Sequence, residues 1–467
     1  INPTKLSNAF DELQKLGVDI SYAQGYYKSA PSKKDKTPRK TSAELIAEAK
    51  EAASKADVAV VFVGLTEEFE GEGYDREGIE IPAEHNELVA AVAEANPNTV
   101  VVIAGGSVIL MPWLKNVKGL LNSGLGGQAG GIAVANILTG KVNPSGKTSE
   151  TYPRAFEDNP TYGNFPGGPV TSEHRESVYI GYRYYDAADI DVEFPFGFGL
   201  SYTTFEYSDI KLSKDKMKDT DTVTVSFKIK NTGSVDGAEI AEVYVADKES
   251  TIFRPKKELR GFKKVFLKAG EEKEVSVELS KRAFAFYNVE LGDWMVETGE
   301  FDILVGSSSR DIKLTASMTV ESTVTASIPD YRKTAPNYYN NVANITRAVY
   351  GELPNPEIDK NKKIDLYCCL NDARHTKWGG KLCRLIEKIM SGMGSDANGD
   401  GKMLAAMATQ IPVRNFISMS MGAFSPKQAE GLLKMLNDDE SSFVGFNTIF
   451  WRLGGTLARL PKLLKSI

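Results

Sequence analysis

Four carboxylates, Glu67, Glu68, Glu70 and Glu72, fall within six residues of the sequence, and Gly71 and Gly73 flank the last of them. Carboxyl groups perform general acid/base and nucleophilic chemistry when their surroundings let one of them hold its proton near neutral pH. Glycine-flanked backbone reaches conformations that other residues resist, so such a loop can push one acid into a cleft. The competing reading is a solvated acidic loop, because runs of like charge are most often exposed. Asp75 and Arg76 follow directly, and their opposite charges are expected to pair and brace the loop, with substrate contact as the alternative.

The loop follows an apolar, β-branched run at 58–63, which reads as a buried strand. In open α/β sheets, ligands bind at the C-terminal ends of such strands. The neighbouring sequence alternates strands with helices. An Asn2-Pro3 opening begins a helical segment with Leu6, Phe10, Leu13 and Leu16 on one face, ended by Gly17, and a short strand is expected at 18–22. Thr41 or Ser42 caps a helix with Leu45, Ile46, Ala49 and Ala52 on one face. Pro82 begins another, with Leu88, Val89 and Val92 inward, and 98–103 is a further buried strand. This alternation predicts an α/β sandwich over 1–205, a mostly parallel sheet with helices on both faces. Gly124, Gly126 and Ala129 mimic a dinucleotide fingerprint but sit late in the sheet, so tight helix packing explains them and no cofactor is expected.

From about 206 the period changes to two, with Val223, Val225, Phe227 and Ile229 alternating with polar residues. Further short strands at 239–245, 258–267, 274–279 and 300–305 predict an all-β sandwich over 206–322. The remainder, 323–467, reads as an irregular wrap at 328–356 and a largely helical tail, with helices near 382–389, 403–407, 425–436 and 443–464. Ser425-Pro426-Lys427-Gln428 has the form of a capping box with proline at the first helical position. Asp396, Asn398 and Asp400 imitate the start of a calcium loop, but position twelve is Met407, which cannot supply the bidentate carboxylate.

Composition narrows the partners. The chain has 467 residues, a net charge of −6 and no long basic block, which argues against nucleic acid. The longest apolar stretch, 99–114, is short for a membrane span and contains Gly105, Gly106 and Pro112. The three cysteines, Cys368, Cys369 and Cys383, are too few for a disulfide framework and fit a reducing, cytoplasmic setting. His85, His174 and His375 are scattered and form no metal motif, so no metal site is expected.

Several strings together resemble glycoside hydrolase family 3, the β-glucosidase and β-xylosidase group. They are Gly64-Leu65-Thr66, Glu72-Gly73-Tyr74-Asp75-Arg76 and Ile81-Pro82, then Asn143-Pro144-Ser145-Gly146-Lys147, then Tyr179-Ile180-Gly181-Tyr182-Arg183-Tyr184-Tyr185-Asp186 and Phe194-Pro195-Phe196-Gly197-Phe198-Gly199-Leu200-Ser201-Tyr202. Asn231-Thr232-Gly233, Leu259-Arg260-Gly261-Phe262 and Gly299-Glu300-Phe301 resemble that family's fibronectin type III-like module. The resemblance implies that Glu72 is the general acid/base, with Glu68 the runner-up. It also implies that the nucleophilic aspartate sits on a (β/α)8 barrel of about 250 residues, for which no pattern occurs in this sequence. Ser208-Asp209 and Ser395-Asp396 do not lie in one.

The expectation is therefore the C-terminal portion of a retaining β-glucosidase-like enzyme, without the barrel and without the strand and helix that open the α/β domain in relatives. It would act on a β-glucoside or short β-linked oligosaccharide together with a second polypeptide carrying the barrel, and it could form a homo-oligomer. A non-catalytic carbohydrate-binding or scaffold protein is the alternative. The aromatic and glycine strings at 179–186 and 194–205 suit packing at a domain junction, with stacking on sugar rings the lesser reading.

Overall fold

The computed structural model describes residues 4–28, 37–66, 69–71, 75–165, 173–345, 360–393, 400–420 and 424–438. Glu68 and Glu72, most of the calcium-like turn and the expected helix at 443–464 lie outside them.

Runs of β-branched residues make the first sheet. Helices α1 (Ala9–Lys15) and α2 (Ser42–Ser54) precede strand β1 (Ala59–Gly64), and α3 (Ala83–Ala95) leads to β2 (Thr99–Ala104), β3 (Gly119–Asn122) and α4 (Gly130–Leu138). The three strands pair in parallel in the order β1-β2-β3. Period-two alternation puts Ala59, Val61 and Val63 into a core with Ala49 and Ala53 of α2 and Leu88, Val89 and Val92 of α3. Burying a Val or Leu side chain fully contributes about 1.5–3 kcal/mol, so this face fixes the sheet against its helices. Val60 and Phe62, on the other face of β1, remain 37% and 41% exposed. The second helical layer is α1 with α4, which approach so closely that a Cβ on Gly131 would meet the Asn8 backbone at 2.6 Å.

Two local expectations need correction. The first helix begins at Ala9, because Asn8 is extended and its side chain caps the Asp11 N–H. Residues 18–22 form no strand. A strand persists only within a ladder, and here the Val18 N–H turns back to the Leu13 carbonyl while the open edge of β1 receives the Tyr26 hydroxyl on the Phe62 carbonyl, 3.1 Å away.

After α4 the chain forms the junction. Strand β4 (Tyr152–Pro153) pairs antiparallel with β5 (Val192–Phe194), and the short α5 (Tyr182–Ala187) lies between them in sequence. The aromatic string is packing material: Tyr179, Tyr182, Tyr184 and Tyr185 are buried, and the Tyr179 hydroxyl donates to the Tyr338 carbonyl at 2.6 Å.

The all-β region contains β6 (Phe205–Leu212), β7 (Lys216–Lys218), β8 (Val223–Asn231), β9 (Gly237–Asp247), β10 (Glu258–Leu267) and β11 (Glu272–Leu279), then helix α6 (Lys281–Phe284), hairpin β12 (Phe286–Asn288) and β13 (Asp293–Met295), β14 (Gly299–Ser308) and β15 (Asp311–Glu321). A sheet of order β10-β9-β14-β15-β7 faces one of order β11-β8-β6. Val223, Val225, Phe227 and Ile229 point into the shared core, as their alternation predicts. Only the β7–β15 pairing within the sandwich is parallel.

Residues 328–345 wrap over the junction with one short helix, α7 (Asn337–Asn340). The tail has its own core: α8 (Lys377–Met393), α10 (Val413–Met419) and α11 (Pro426–Leu436) enclose Leu370, Cys383, Val413, Leu432 and Leu436, and α9 (Asp400–Gln410) packs against α8. Ser425 and Gln428 form the expected reciprocal cap on α11. All three cysteines are free, and no helix among the described residues is long and apolar enough to cross a membrane.

One buried acid marks the junction. Glu242 on β9 is 4% exposed and accepts a hydrogen bond from the Tyr244 hydroxyl. Burial pushes its pKa up to about 7, against the pull of Tyr244 and of Lys147, with Glu239 adding to the rise. Unfolded, the same group loses its proton near 4.5. Between those pH values the unfolded chain has released a proton that the fold retains, so stability falls as pH rises from about 4.5 to 7 and levels off above, by about 3 kcal/mol in total. Glu242→Gln is expected to remove that decline. Urea midpoints measured at pH 5 and pH 8 check it, and an unchanged slope in the variant would assign the decline elsewhere.

Candidate active site

The C-terminal ends of β2 and β3 open onto a cleft of about 270 Å³. Its walls come from the turn after β2 (Gly105, Gly106, Ser107), the end of β3 (Asn122, Ser123, Gly124) and the segment Lys147, Thr148, Ser149, Glu150 and Tyr152 after α4. This is where a parallel sheet leaves backbone groups unpaired and loops converge.

The acidic loop leaves β1 next to that turn. Gly64 lies opposite Ala104, and a Cβ on it would meet the Ala104 carbonyl oxygen at 2.0 Å, so only glycine permits this approach. The Leu65 N–H then donates to the same carbonyl at 2.9 Å, and Phe69 and Glu70 N–H groups turn back onto the Thr66 carbonyl. Both visible feet of the loop stand on the turn after β2. The Glu70 carboxylate accepts the Gly106 N–H at 2.9 Å. Arg76 donates to the Ser107 hydroxyl at 2.7 Å and to the Val108 carbonyl at 2.9 Å, and its other terminal nitrogen reaches the Glu80 carbonyl at 3.4 Å. The chain then descends into the core through Ile79 and Ile81, where the Leu110 N–H bonds the Ile79 carbonyl at 2.8 Å.

The expected Asp75–Arg76 pair does not form. Asp75 is exposed, and Arg76 turns inward to neutral oxygens that a carboxylate on the preceding residue would not reach from the solvent side. Glu70, read in the sequence only as one of the acidic cluster, proves to be an anchor. Its charge suits a backbone N–H donor, since such charge-assisted bonds are roughly twice as strong as neutral ones.

The far wall holds a carboxyl group that the sequence reading missed. Glu150 faces the cleft, where loss of surrounding water raises its pKa, Arg76 opposes the rise and Glu70 adds to it. Tyr152 beside it is raised likewise, first by burial and then by Glu150, against its hydrogen bond from Asn122 at 2.7 Å. Ser123 is held by the Ile103 carbonyl through both its N–H and its hydroxyl. The only available signal for this wall was its position directly after the Asn-Pro-Ser-Gly-Lys string. Under the site, the buried His85 accepts the Gly64 N–H at 3.4 Å and burial lowers its pKa, so it is neutral and structural. Among the described residues no group of three or more His, Cys, Asp or Glu side chains could hold a metal ion. What the cleft offers is carboxyl, hydroxyl and amide groups around a small polar volume, suited to a neutral, hydroxyl-rich ligand and to proton transfer.

Known proteins resemble this chain in sequence and fold. Residues 2–202 match the glycosyl hydrolase family 3 C-terminal domain, and residues 239–309 match the fibronectin type III-like domain. The thermostable beta-glucosidase B of Acetivibrio thermocellus is 41% identical over 444 residues, covering 94% of this chain and 53% of that protein. The exo-alpha-(1->6)-L-arabinopyranosidase of Bifidobacterium breve is 44% identical over 69% of this chain and 41% of its own length. Among solved structures, a Bifidobacterium adolescentis GH3 beta-glucosidase superposes with a TM-score of 0.65 at 45% identity, over 71% of this chain and 48% of that one. The Kluyveromyces marxianus beta-glucosidase in complex with glucose gives 0.58 at 43% identity, over 61% and 34%. The chain thus spans about half the length, or less, of these relatives.

The loop's anchorage has a measurable consequence. A single hydrogen bond from a charged donor contributes about 1.5–3 kcal/mol, so Arg76→Leu, which removes the bonds to Ser107 and Val108, is expected to raise local opening by at least roughly 10- to 100-fold. A glutamate-specific protease should cleave the segment between Thr66 and Arg76 that much faster while the unfolding midpoint of the sandwich stays put. Equal cleavage of the two proteins would mean that Arg76 does not hold the loop.

Proposed function

Residues 2–202 belong to the C-terminal domain of glycosyl hydrolase family 3, with a fibronectin type III-like domain after them, and from that premise we propose that this chain supplies the general acid/base of a retaining β-glucosidase. Glu72 is the assigned residue. In the first step its carboxylic acid protonates the glycosidic oxygen as the C1–O bond breaks and an aspartate on a (β/α)8 barrel bonds to C1. In the second, the Glu72 carboxylate takes a proton from water as that water displaces the aspartate, which returns both groups to their starting states. The barrel belongs to another part of the assembled enzyme, and the substrate is a terminal non-reducing β-D-glucosyl residue.

The observation that carries this reading is the pair of feet on the cleft rim. Gly106 and Ser107 both line the cleft, and they hold Glu70 and Arg76, the residues on either side of Glu72. The names of the relatives support the β-glucoside class: three of the four described above are beta-glucosidases.

Combined with the barrel-bearing polypeptide, Glu72→Gln is expected to lower hydrolysis of an alkyl β-glucoside by about 10²–10⁴. Azide should restore turnover on an aryl glucoside with a good leaving group, because the anion needs no base to attack the glycosyl-enzyme. Glu68→Gln should stay within a few fold of the parent. Full activity of Glu72→Gln would end the assignment, and an inactive parent mixture would favour a non-catalytic carbohydrate-binding or scaffold protein.

A further inference from the structure

The string Asn143-Pro144-Ser145-Gly146-Lys147 has no part in the proton chemistry, yet it stands where α4 gives way to the far wall of the cleft. Two of its polar side chains, those of Asn143 and Lys147, reach across to the sandwich. The Lys147 ammonium meets the Glu239 carboxylate of β9 at 3.0 Å, with only 10% and 7% of the two side chains exposed, and it also donates to the Gly199 carbonyl at 3.3 Å. Glu239 is itself fixed by the Tyr207 hydroxyl of β6 at 3.1 Å. Asn143 donates to the Asp236 carbonyl at 3.0 Å and accepts from the Ser201 hydroxyl and the Tyr202 N–H at 3.0 and 2.8 Å.

The next residues are closed onto the junction like a zip. Thr148 gives its N–H to the Phe198 carbonyl and its hydroxyl to the Pro195 carbonyl, and accepts the Gly197 N–H on its own carbonyl, at 2.8, 2.9 and 2.8 Å. Glycine is required at both contacts. A Cβ on Gly199 would meet the Gly146 carbonyl oxygen at 2.2 Å, and Gly197, at φ +81°, would drive one into Glu242 at 2.3 Å. Two residues beyond Thr148 comes Glu150, and four beyond comes Tyr152, both lining the cleft.

We propose that this string is a joint through which the fibronectin-like sandwich positions the cleft: Lys147, held by Glu239, and Asn143, held on the Asp236 carbonyl, are positioning residues for the wall that carries Glu150 and Tyr152. An ion pair serving only to glue two domains could sit anywhere on their boundary. This one is buried, its lysine lies in the cleft lining, and the same stretch of chain goes on to the wall's carboxyl and phenol groups. A buried pair adds little net stability but defines a single geometry, because its charges tolerate no other arrangement. Two of the three donors of the Lys147 ammonium are committed to Glu239 and Gly199, which suits it to set position.

The test starts with this chain alone, so that it does not depend on Glu72. Amide exchange is followed in Glu239→Gln, Lys147→Met and the double variant, with Lys214→Met, which breaks an exposed pair of the same sandwich, as control. Exchange at 148–152 is expected to quicken by roughly tenfold or more in the first three while β8 and β14 stay protected, and Lys147→Arg should restore it. Unchanged exchange at 148–152, or acceleration shared equally by the sandwich core, would overturn the proposal. The second arm rests on the functional reading above. In the assembled enzyme, Glu239→Gln, which changes no residue of the cleft lining, should raise KM several-fold more than it lowers kcat, and Lys214→Met should change neither. A normal KM with a loosened wall would overturn the positioning role, whereas failure of the acid/base reading would appear separately, as full activity in Glu72→Gln.

Discussion

The register between β1 and β2 is the constraint on which the site depends. Pairing Gly64 with Ala104 brings the exits of two parallel strands side by side, so the acidic loop emerges against the turn Gly105-Gly106-Ser107. A slip of one residue would turn the core valines outward and would also move Gly106 away from Glu70. The helices α2 and α3 hold the register from beneath through Val61, Val63, Leu88 and Val89. The geometry of the cleft rim is thus a by-product of hydrophobic alternation in two short strands, and the close approach of their exits is solved by a glycine.

Elements that carry their own periodicity were legible in the sequence: the valine-rich strands, the Leu88–Val92 face of α3, the alternating β8 and the capped α11. Elements that depend on a partner were not. Residues 18–22 have strand composition, but composition supplies only half of a ladder. In the sandwich, β7, β12 and β13 were missed because three residues are too few to show a period, β6 because its alternation is broken by a register shift, and β15 although its alternation is regular, since it buries only Met318 and Val320 along its length. Helix α10 begins after Pro412 and contributes one fully buried residue, Val413, too little periodicity to register.

The site divides along the same line. The composition of the loop and its glycines signalled a place for an acid, whereas the identity of the braces did not follow from adjacency. Asp75 and Arg76 are neighbours in sequence, and neighbouring side chains on an extended segment point to opposite sides. Arg76 therefore found partners 31 and 32 residues away, and Glu70 found one 36 residues away. Glu150 lay too far along the chain to be connected with the loop at all. Its place in the cleft is decided by how the 148–153 segment is zipped to 192–198, which is a matter of tertiary hydrogen bonds and not of local pattern.

Electrostatics connect these parts to the proposed division of labour between two domains. An acid/base group needs a pKa raised toward neutrality, and the described half of the cleft already works in that direction, since the Glu150 carboxyl is raised by lost hydration and by Glu70. Arg76 works the other way on the same group. Of the two influences, lost hydration is the larger, and the carboxyl is raised on balance. Covering the cleft with a second domain changes the balance, because it removes water from every carboxyl at once and adds the negative charge of a nucleophile, while Arg76 stays committed to Ser107 and Val108. In the proposed assembly, an acid on one domain and a nucleophile on the other acquire their working pKa values only together. That argues for closure of the interface as the event that creates the proton donor, and for a wall held at fixed distance by the sandwich as a condition of its working.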